Sequence, residues 1–342
     1  MIKINMFSSA SKVKGQGVGS AYEELIRLLD EHLNTEFEVN INQFTKSDIS
    51  HYHTIDPNFY LSTFSKKRGV KVGYVHFLPE TIEGSLNIPQ PFRGIFYKYI
   101  ISFYKRMDQI VVVNPTFIPK LVEYNIPEKK ITYIPNFVRK DEFPHLSLEK
   151  REKVRKQLGI SAERFMVLGT GQVQERKGVK DFIKLAENNP NTDFIWAGGF
   201  SFGRLTDGYA DLKKVVDNPP TNLTFTGIVD RQKLSDYYNA ADLFLLPSFN
   251  ELFPMSVLEA FSCGTPVMLR DLDLYHSIID GYYIKTTSYE EMNSKLHELQ
   301  GSSSMMKKYR TLSLAASDRY SEESLTKIWQ KYYKALLTGQ GD

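Results

Sequence analysis

Short apolar runs alternate along this chain with longer stretches in which apolar residues return every three or four positions. Ile2–Phe7, Val39–Asn42, His51–Thr54, Val70–His76 and Asp108–Val113 have the length and content of strands. Between them, Ala21–Glu31 and Pro91–Met107 carry helical spacing; Asn114 and Pro115 open another helix. The pattern restarts at the apolar strand Phe165–Thr170 and continues through Phe194–Ala197, Leu223–Phe225 and Leu243–Leu246, with a helix over Asp230–Ala240. Strands alternating with helices in this way predict an α/β chain of parallel sheets covered by helices. Two such sets in 342 residues predict two domains. The break falls after Ile131–Phe137 and continues through the charged stretch Arg139–Lys156, giving expected domains of 1–142 and 143–317. A last amphipathic helix, Ser321–Leu337, presents Leu325, Ile328, Trp329, Tyr332 and Leu336.

Composition narrows the class. A hydrophobic fraction of 42% supports a real core. No run of 18 or more apolar residues offers a membrane span, and Met1–Phe7 reads as a first strand rather than a secretory leader. The single cysteine, Cys263, rules out an internal disulfide framework and is expected to serve packing. Net charge is +3, with the excess of Lys and Arg confined to the first 140 residues. Such mild basicity predicts an anionic surface as partner and no nucleic acid, which would need denser basic patches. Phe92, Phe96, Tyr99, Ile100 and Phe103 recur at helical spacing beside Arg93, Lys98, Lys105 and Arg106, downstream of Lys66-Lys67-Arg68 and Lys71. Aromatic residues among cations suit the boundary of an anionic bilayer. The same stripe also suits a helix facing its own core.

The candidate chemistry centres on Ala241–Ala260. A buried strand there leads through a polar loop holding Glu251 to a helix that opens near Pro254 and holds Glu259. Unpaired amides and the positive dipole end of such a helix suit a phosphate. At 1.5 Å rise per residue the two carboxylates should lie about 10 Å apart, the separation of the two sugars of a nucleotide sugar. The alternative is an exposed loop glutamate and an ordinary helix-surface glutamate. Gly15, Gly17 and Gly19 form a turn after the first strand, but their spacing is not that of a dinucleotide fingerprint, and no acidic residue closes a second strand. His53 and His76 fall at strand C-terminal ends, the edge at which open α/β sheets bind ligands.

The strand–loop–helix block with Glu251 and Glu259 resembles the E-x7-E motif of the retaining GT-B glycosyltransferases of family 4. That resemblance implies two Rossmann-like domains facing a donor/acceptor cleft, with the last helix (about 318–342) crossing back onto the first domain. It implies that Glu259 holds the donor ribose and Glu251 the transferred hexose. Lys177, in Lys177-Gly178, would hold the diphosphate with Gly171 and the backbone around Phe253, Pro254, Met255 and Ser256. Gln172 stands where the family has an arginine, and Arg176 is the candidate substitute for its charge. Ile228, after a glycine turn, would meet the uracil edge. Gly17 and Gly19 would border donor phosphate and acceptor, with His53 on the acceptor side and His76 near the reaction centre. Phe137 replaces the glycine of the family's Pro-Asn-Gly junction.

Cations and helix-start amides in place of a metal imply a metal-independent transfer; Asp271-Leu272-Asp273 is a poor metal site beside Arg270. Within the family, Tyr74–Thr81 and Gly199–Gly203 look like the bacterial glycolipid enzymes that extend glucosyl-diacylglycerol with α-galactose from UDP-galactose. The expected partners are therefore a UDP-hexose, a glycolipid acceptor and an anionic membrane surface, with the protein peripheral on the cytoplasmic face. UDP-glucose as donor, a soluble glycan as acceptor, or a non-catalytic nucleotide-sugar binder remain as alternatives.

Overall fold

The computed structural model describes residues 1–10, 17–79, 90–201, 203, 206 and 208–338. In chain order the first elements are β1 (Ile2–Phe7), α1 (Gly17–His32), β2 (Phe37–Ile41), β3 (Ile49–Tyr52), α2 (Pro57–Ser62), β4 (Val70–Val75), α3 (Gln90–Lys105), β5 (Gln109–Val112), α4 (Phe117–Glu123) and β6 (Ile131–Tyr133). Then follow α5 (Leu148–Gln157), β7 (Met166–Thr170), α6 (Val179–Asn188), β8 (Asp193–Ala197), α7 (Tyr209–Asp217), β9 (Leu223–Gly227), α8 (Arg231–Ala240), β10 (Leu243–Leu246) and α9 (Met255–Ser262). The chain closes with β11 (Val267–Arg270), α10 (Asp273–His276), β12 (Ile284–Thr286), α11 (Tyr289–Gln300), α12 (Ser303–Arg319) and α13 (Glu322–Thr338).

These elements form two compact units. The first holds residues 1–83, 88–137 and 322–342. Its sheet has the order β2-β1-β3-β4-β5-β6 with every pair parallel. The apolar strands β3 and β5 bury Ile49, Tyr52, Ile110 and Val111, as expected when helices cover both faces. Helix α13 belongs to this unit and buries Leu325, Trp329 and Tyr333, with the Tyr333 hydroxyl 2.8 Å from His51 Nδ1. Leu325 and Trp329 of the expected stripe are buried, but Ile328 is exposed and Tyr333 rather than Tyr332 completes the buried face.

The second unit, which among the described residues spans 138–321, has the order β12-β11-β10-β7-β8-β9, again all parallel. Val167, Phe182, Trp196, Leu243 and Met268 form part of its core. Residues 138–142, expected in the first domain, lie here because their partners do. Val138 N donates to Tyr320 O, Lys140 pairs with Asp318, and Glu142 pairs with Arg231. For the same reason the return to the first unit starts at Glu322 rather than 318.

In each sheet the strand order reverses at one place, β1/β3 in the first unit and β7/β10 in the second. The crevice beyond the strand ends at such a reversal is where open α/β sheets take ligands.

Candidate functional site

At the β7/β10 reversal the two loops are stitched together. Phe249 N donates to Arg176 O at 2.9 Å, and Arg176 Nη1 donates to Asn250 O at 2.5 Å. Gly178 sits at φ +69, and a Cβ there would lie 2.1 Å from Pro247 O, so only glycine permits this approach. Gly171 (φ +124) closes β7; its carbonyl accepts from Trp196 Nε1, and the Lys177 side chain runs over its Cα.

Lys177 Nζ meets Glu251 Oε1 at 2.6 Å, with Arg176 Nη1 3.8 Å from the same oxygen. Burial raises the Glu251 carboxyl, but Lys177 and then Arg176 outweigh it and hold the group below its ordinary value. Burial likewise depresses the Lys177 ammonium, against the pull of Glu251. Two cations around one carboxylate leave a net positive pocket for an anion. The buried Arg176 Nε has no partner among the described residues, a donor in reserve. Gln172 is tied to Gln174, whose Nε2 donates to Gln172 Oε1 at 2.5 Å. Gln174 in turn accepts from Arg176 Nη2 at 3.5 Å, which links the Gln172 and Arg176 side chains.

Glu259 stands on the fifth residue of α9 and is buried, as is Glu251, so neither is the exposed surface carboxylate of the alternative reading. Tyr238 OH donates to Glu259 Oε2 at 2.8 Å and lies 3.1 Å from Thr170 Oγ1. Arg231 Nη1 is 3.8 Å from Glu259 Oε1, while its Nε pairs with Glu142 at 2.6 Å. Burial lifts the Glu259 carboxyl, opposed by Arg231 and by the Tyr238 hydrogen bond. Tyr238, Thr170, Arg231 and Glu142 were missed in the sequence; the one signal available was that Arg231 and Tyr238 lie two helical turns apart on α8.

Pro254 is the N-cap of α9 with ψ 126, one residue before the first helical position where it was expected. It supplies no capping side chain; Val257 N donates to Pro254 O at 3.1 Å, and among the described residues no side-chain cap is recorded for the first turn of α9. Phe253, Pro254 and Met255 are buried, Phe253 against Tyr320, which leaves Ser256 as the accessible side chain of the first turn. Ile228 follows Gly227 (φ +71) and is exposed, available to a flat ligand. Asp271 is committed to Tyr283 and His276. Among the described residues, Glu31, His32 and Glu322 are the acid–histidine group close enough to share an ion. Cys263 is buried in packing, as expected.

In the first unit, His53 and His76 each follow a strand end, β3 and β4, with His53 Nδ1 3.3 Å from His76 Nε2. Burial pushes His76 down to about 3 and His53 well below its ordinary value, so both imidazoles are neutral. Gly19 lies inside α1, where a Cβ would be 3.3 Å from Ala10 O; Gly17 opens α1, four residues earlier than the helix was expected to start. Gly15, Glu80, Thr81 and Phe202 lie outside the described residues.

The expected basic and aromatic helix splits into two parts. Ile100 and Phe103 are core, Phe96 and Tyr99 are half-buried, and Phe92 and Ile95 are exposed. Arg68 is buried, donating to Phe44 O and Thr45 O, and Lys71 pairs with Asp108, which leaves Lys66 and Lys67 as the exposed cations of that cluster without an ion pair among the described residues.

Known proteins resemble this chain in sequence and fold. Residues 150–312 match the family model described as Glycosyl transferases group 1, and residues 18–142 the one described as Glycosyltransferase Family 4. The chain is 52% identical over 334 residues to the alpha-galactosylglucosyldiacylglycerol synthase of Streptococcus pneumoniae, covering 97% of this chain and 89% of that protein. It is 27% identical to the processive diacylglycerol alpha-glucosyltransferase of Acholeplasma laidlawii, over 80% of each. Among solved structures, sucrose-phosphate synthase from Thermosynechococcus elongatus superposes with a TM-score of 0.80 at 15% identity, covering 99% of this chain and 100% of that one. Anabaena HepE in complex with UDP and glucose gives 0.77 at 17%, covering 98% and 100%. The chain belongs to the family 4 glycosyltransferases: it is a hexosyltransferase of GT-B fold.

Proposed function

We propose that this enzyme moves α-galactose from UDP-galactose onto glucosyl-diacylglycerol at the cytoplasmic face of a membrane, with retention and without a metal ion. The observation that carries the reading is the identity with the pneumococcal synthase along almost the whole chain. In this scheme Lys177, Arg176 and the first amides of α9 hold the diphosphate, Glu259 the ribose and Glu251 the hexose. The C1–O bond to UDP breaks as the bond to the acceptor oxygen forms on the same face, and the acceptor proton passes to the leaving phosphate oxygen. Supporting this, Glu251 is already ion-paired and hydrogen-bonded to Lys177, a poor state for a covalent nucleophile. Cations already in place substitute for a metal in neutralising the leaving group. Neutral His76 serves as a hydrogen-bonding group rather than an acid.

Membrane contact is supported by the exposed side chains Leu61, Phe64, Phe92 and Ile95, with Lys66, Lys67, Lys98 and Lys105 exposed around them. Arg106 docks α3 against this region by stacking over Phe64 and donating to Thr63.

The test is label transfer from UDP-galactose and UDP-glucose, with and without a chelator, in anionic vesicles carrying diacylglycerol or glucosyl-diacylglycerol. Transfer from UDP-galactose to the glucosylated lipid, unaffected by chelator, is the expected result. Label on neither lipid while UDP still binds would reject the acceptor; loss of activity with chelator would reject metal independence.

A further inference from the structure

The strand reversal of the first unit also has a cavity beyond it. Ser8 and Ser9 follow β1, His53 to Asp56 follow β3, and α3 passes over both. The cavity, of about 600 Å³, is lined on one side by Ile95, Phe96, Tyr99 and Phe77. On the other side stands Asp56. As the N-cap residue of α2 it would ordinarily accept from an amide of the first turn, yet it caps nothing. Instead Oδ2 takes both Ser9 Oγ at 2.8 Å and Thr54 Oγ1 at 2.5 Å. Both are within ordinary hydroxyl hydrogen-bond range, so two donors converge on one carboxylate oxygen. Oδ1 accepts no hydrogen bond among the described residues. The Tyr99 hydroxyl is turned to Ile55 O, which fixes the aromatic wall beside the carboxylate.

Among the described residues of the lining, Asp56 is the one charged group. An anionic ligand is therefore disfavoured, and a neutral polyol is favoured, since a free carboxylate oxygen accepts from sugar hydroxyls. The opposite wall is apolar and opens at the exposed Ile95, on the same helix as exposed Phe92. A ligand that satisfies both walls has a neutral sugar joined to hydrocarbon. The geometry points to this cavity as the acceptor site: Asp56 Oδ1 takes a hydroxyl of the acceptor glucose, and Ile95, Phe96 and Phe77 receive the glycerol and the first acyl carbons. This rests on the acceptor reading above and adds the residues that select for a glycolipid over a soluble sugar.

The experiment uses the full chain with UDP-galactose and two soluble acceptors, glucosylglycerol and its dihexanoyl ester. Asp56→Asn should raise KM for both acceptors by about 10-fold, the loss of one hydrogen bond to a charged group. Ile95→Trp should raise KM for the ester by about 10-fold and change that for glucosylglycerol by less than about twofold, because it fills only the apolar side. UDP affinity and melting temperature should match the unsubstituted protein in both. If Asp56→Asn fails to fold, Ser9→Ala replaces it, with a rise of a few-fold expected for both acceptors. Unchanged acceptor KM values in either variant overturn the assignment, as does an unsubstituted protein that uses both acceptors equally. If the unsubstituted protein transfers sugar to neither, the galactosyl acceptor reading has failed. Calorimetric binding of the dihexanoyl ester to it and to Ile95→Trp then decides the cavity by itself: tight binding lost in the variant supports it, and equal or absent binding overturns it.

Discussion

Replacing Tyr238 with Phe removes one oxygen and tests whether Glu259 is held ionised in place. That hydroxyl donates to Glu259 Oε2 at 2.8 Å and meets Thr170 Oγ1 at 3.1 Å, and all three residues are buried. Without it, the one remaining polar partner of the carboxylate among the described residues is Arg231 at 3.8 Å, beyond hydrogen-bond reach. A lost hydrogen bond to a buried charge costs about 1.5–3 kcal/mol, and the stranded Thr170 hydroxyl adds about 1. We expect the second unit to lose about 2–4 kcal/mol at neutral pH. Each unit holds one of the two tryptophans, Trp196 in the second and Trp329 in the first, both buried. Urea unfolding followed by Trp196 fluorescence in a Trp329→Phe background therefore reads the second unit alone. Repeating the substitution in Glu259→Gln should cost less, giving a coupling above about 1 kcal/mol. A loss under about 0.5 kcal/mol, or zero coupling with Glu259→Gln, would refute the reasoning. UDP affinity should fall about 10-fold in Tyr238→Phe if the displaced carboxylate is the ribose ligand.

The other expectations are more direct. Lys177→Met should lower kcat by about 100- to 1,000-fold, the usual loss for a donor aimed at developing charge, while circular dichroism stays native; activity within a factor of a few refutes its role. Gly178→Ala should destabilise by more than about 1 kcal/mol, from positive φ and the clash with Pro247 O, measured by thermal melting. For pH dependence, Glu259 is raised in the folded state, so its share of stability is present below its ordinary value of 4.5 and is lost as pH rises through its folded value. Glu251 is lowered, so its share is present above 4.5 and lost as pH falls through its folded value. Glu259→Gln should accordingly flatten the decline on the alkaline side of 4.5, read from unfolding free energies across pH. Phe64→Ser with Phe92→Ser should weaken sedimentation with anionic vesicles by about 10-fold or more, the loss of two exposed aromatic side chains from the bilayer boundary; unchanged sedimentation would reject this face.

Much of the Ala241–Ala260 block was legible because it is local. The run from Leu243 through Pro254 to Glu259 fixes strand, loop and helix within 17 residues, and Lys177-Gly178 announces a tight turn by its glycine. Asp56 was not legible. Its meaning depends on Ser9 and Thr54 meeting it from two strand ends, and a lone Asp before Pro reads as a plain helix start. Tyr238 was hidden likewise, since its partners Thr170 and Glu259 lie on other elements. Periodicity identified the apolar face of α3 but not how far along it the covering extends, so Phe92 and Ile100 looked alike although one is exposed and one buried. Two glycines of low helix propensity masked the true start of α1 at Gly17.

The first unit is written in two places along the chain, and this has a consequence for biosynthesis. The ribosome completes its sheet strands early, yet Tyr333 and Trp329, which cover His51, come last. The second unit, 138–321, leaves as one uninterrupted segment and can close while α13 is still unmade. The order of maturation should thus run against the order of synthesis, with the second unit finished before the half that begins at the N-terminus. Until its last helix arrives, the nascent first half exposes an aromatic surface to whatever it meets, and premature termination near Ser321 should yield an aggregation-prone product rather than a partial enzyme.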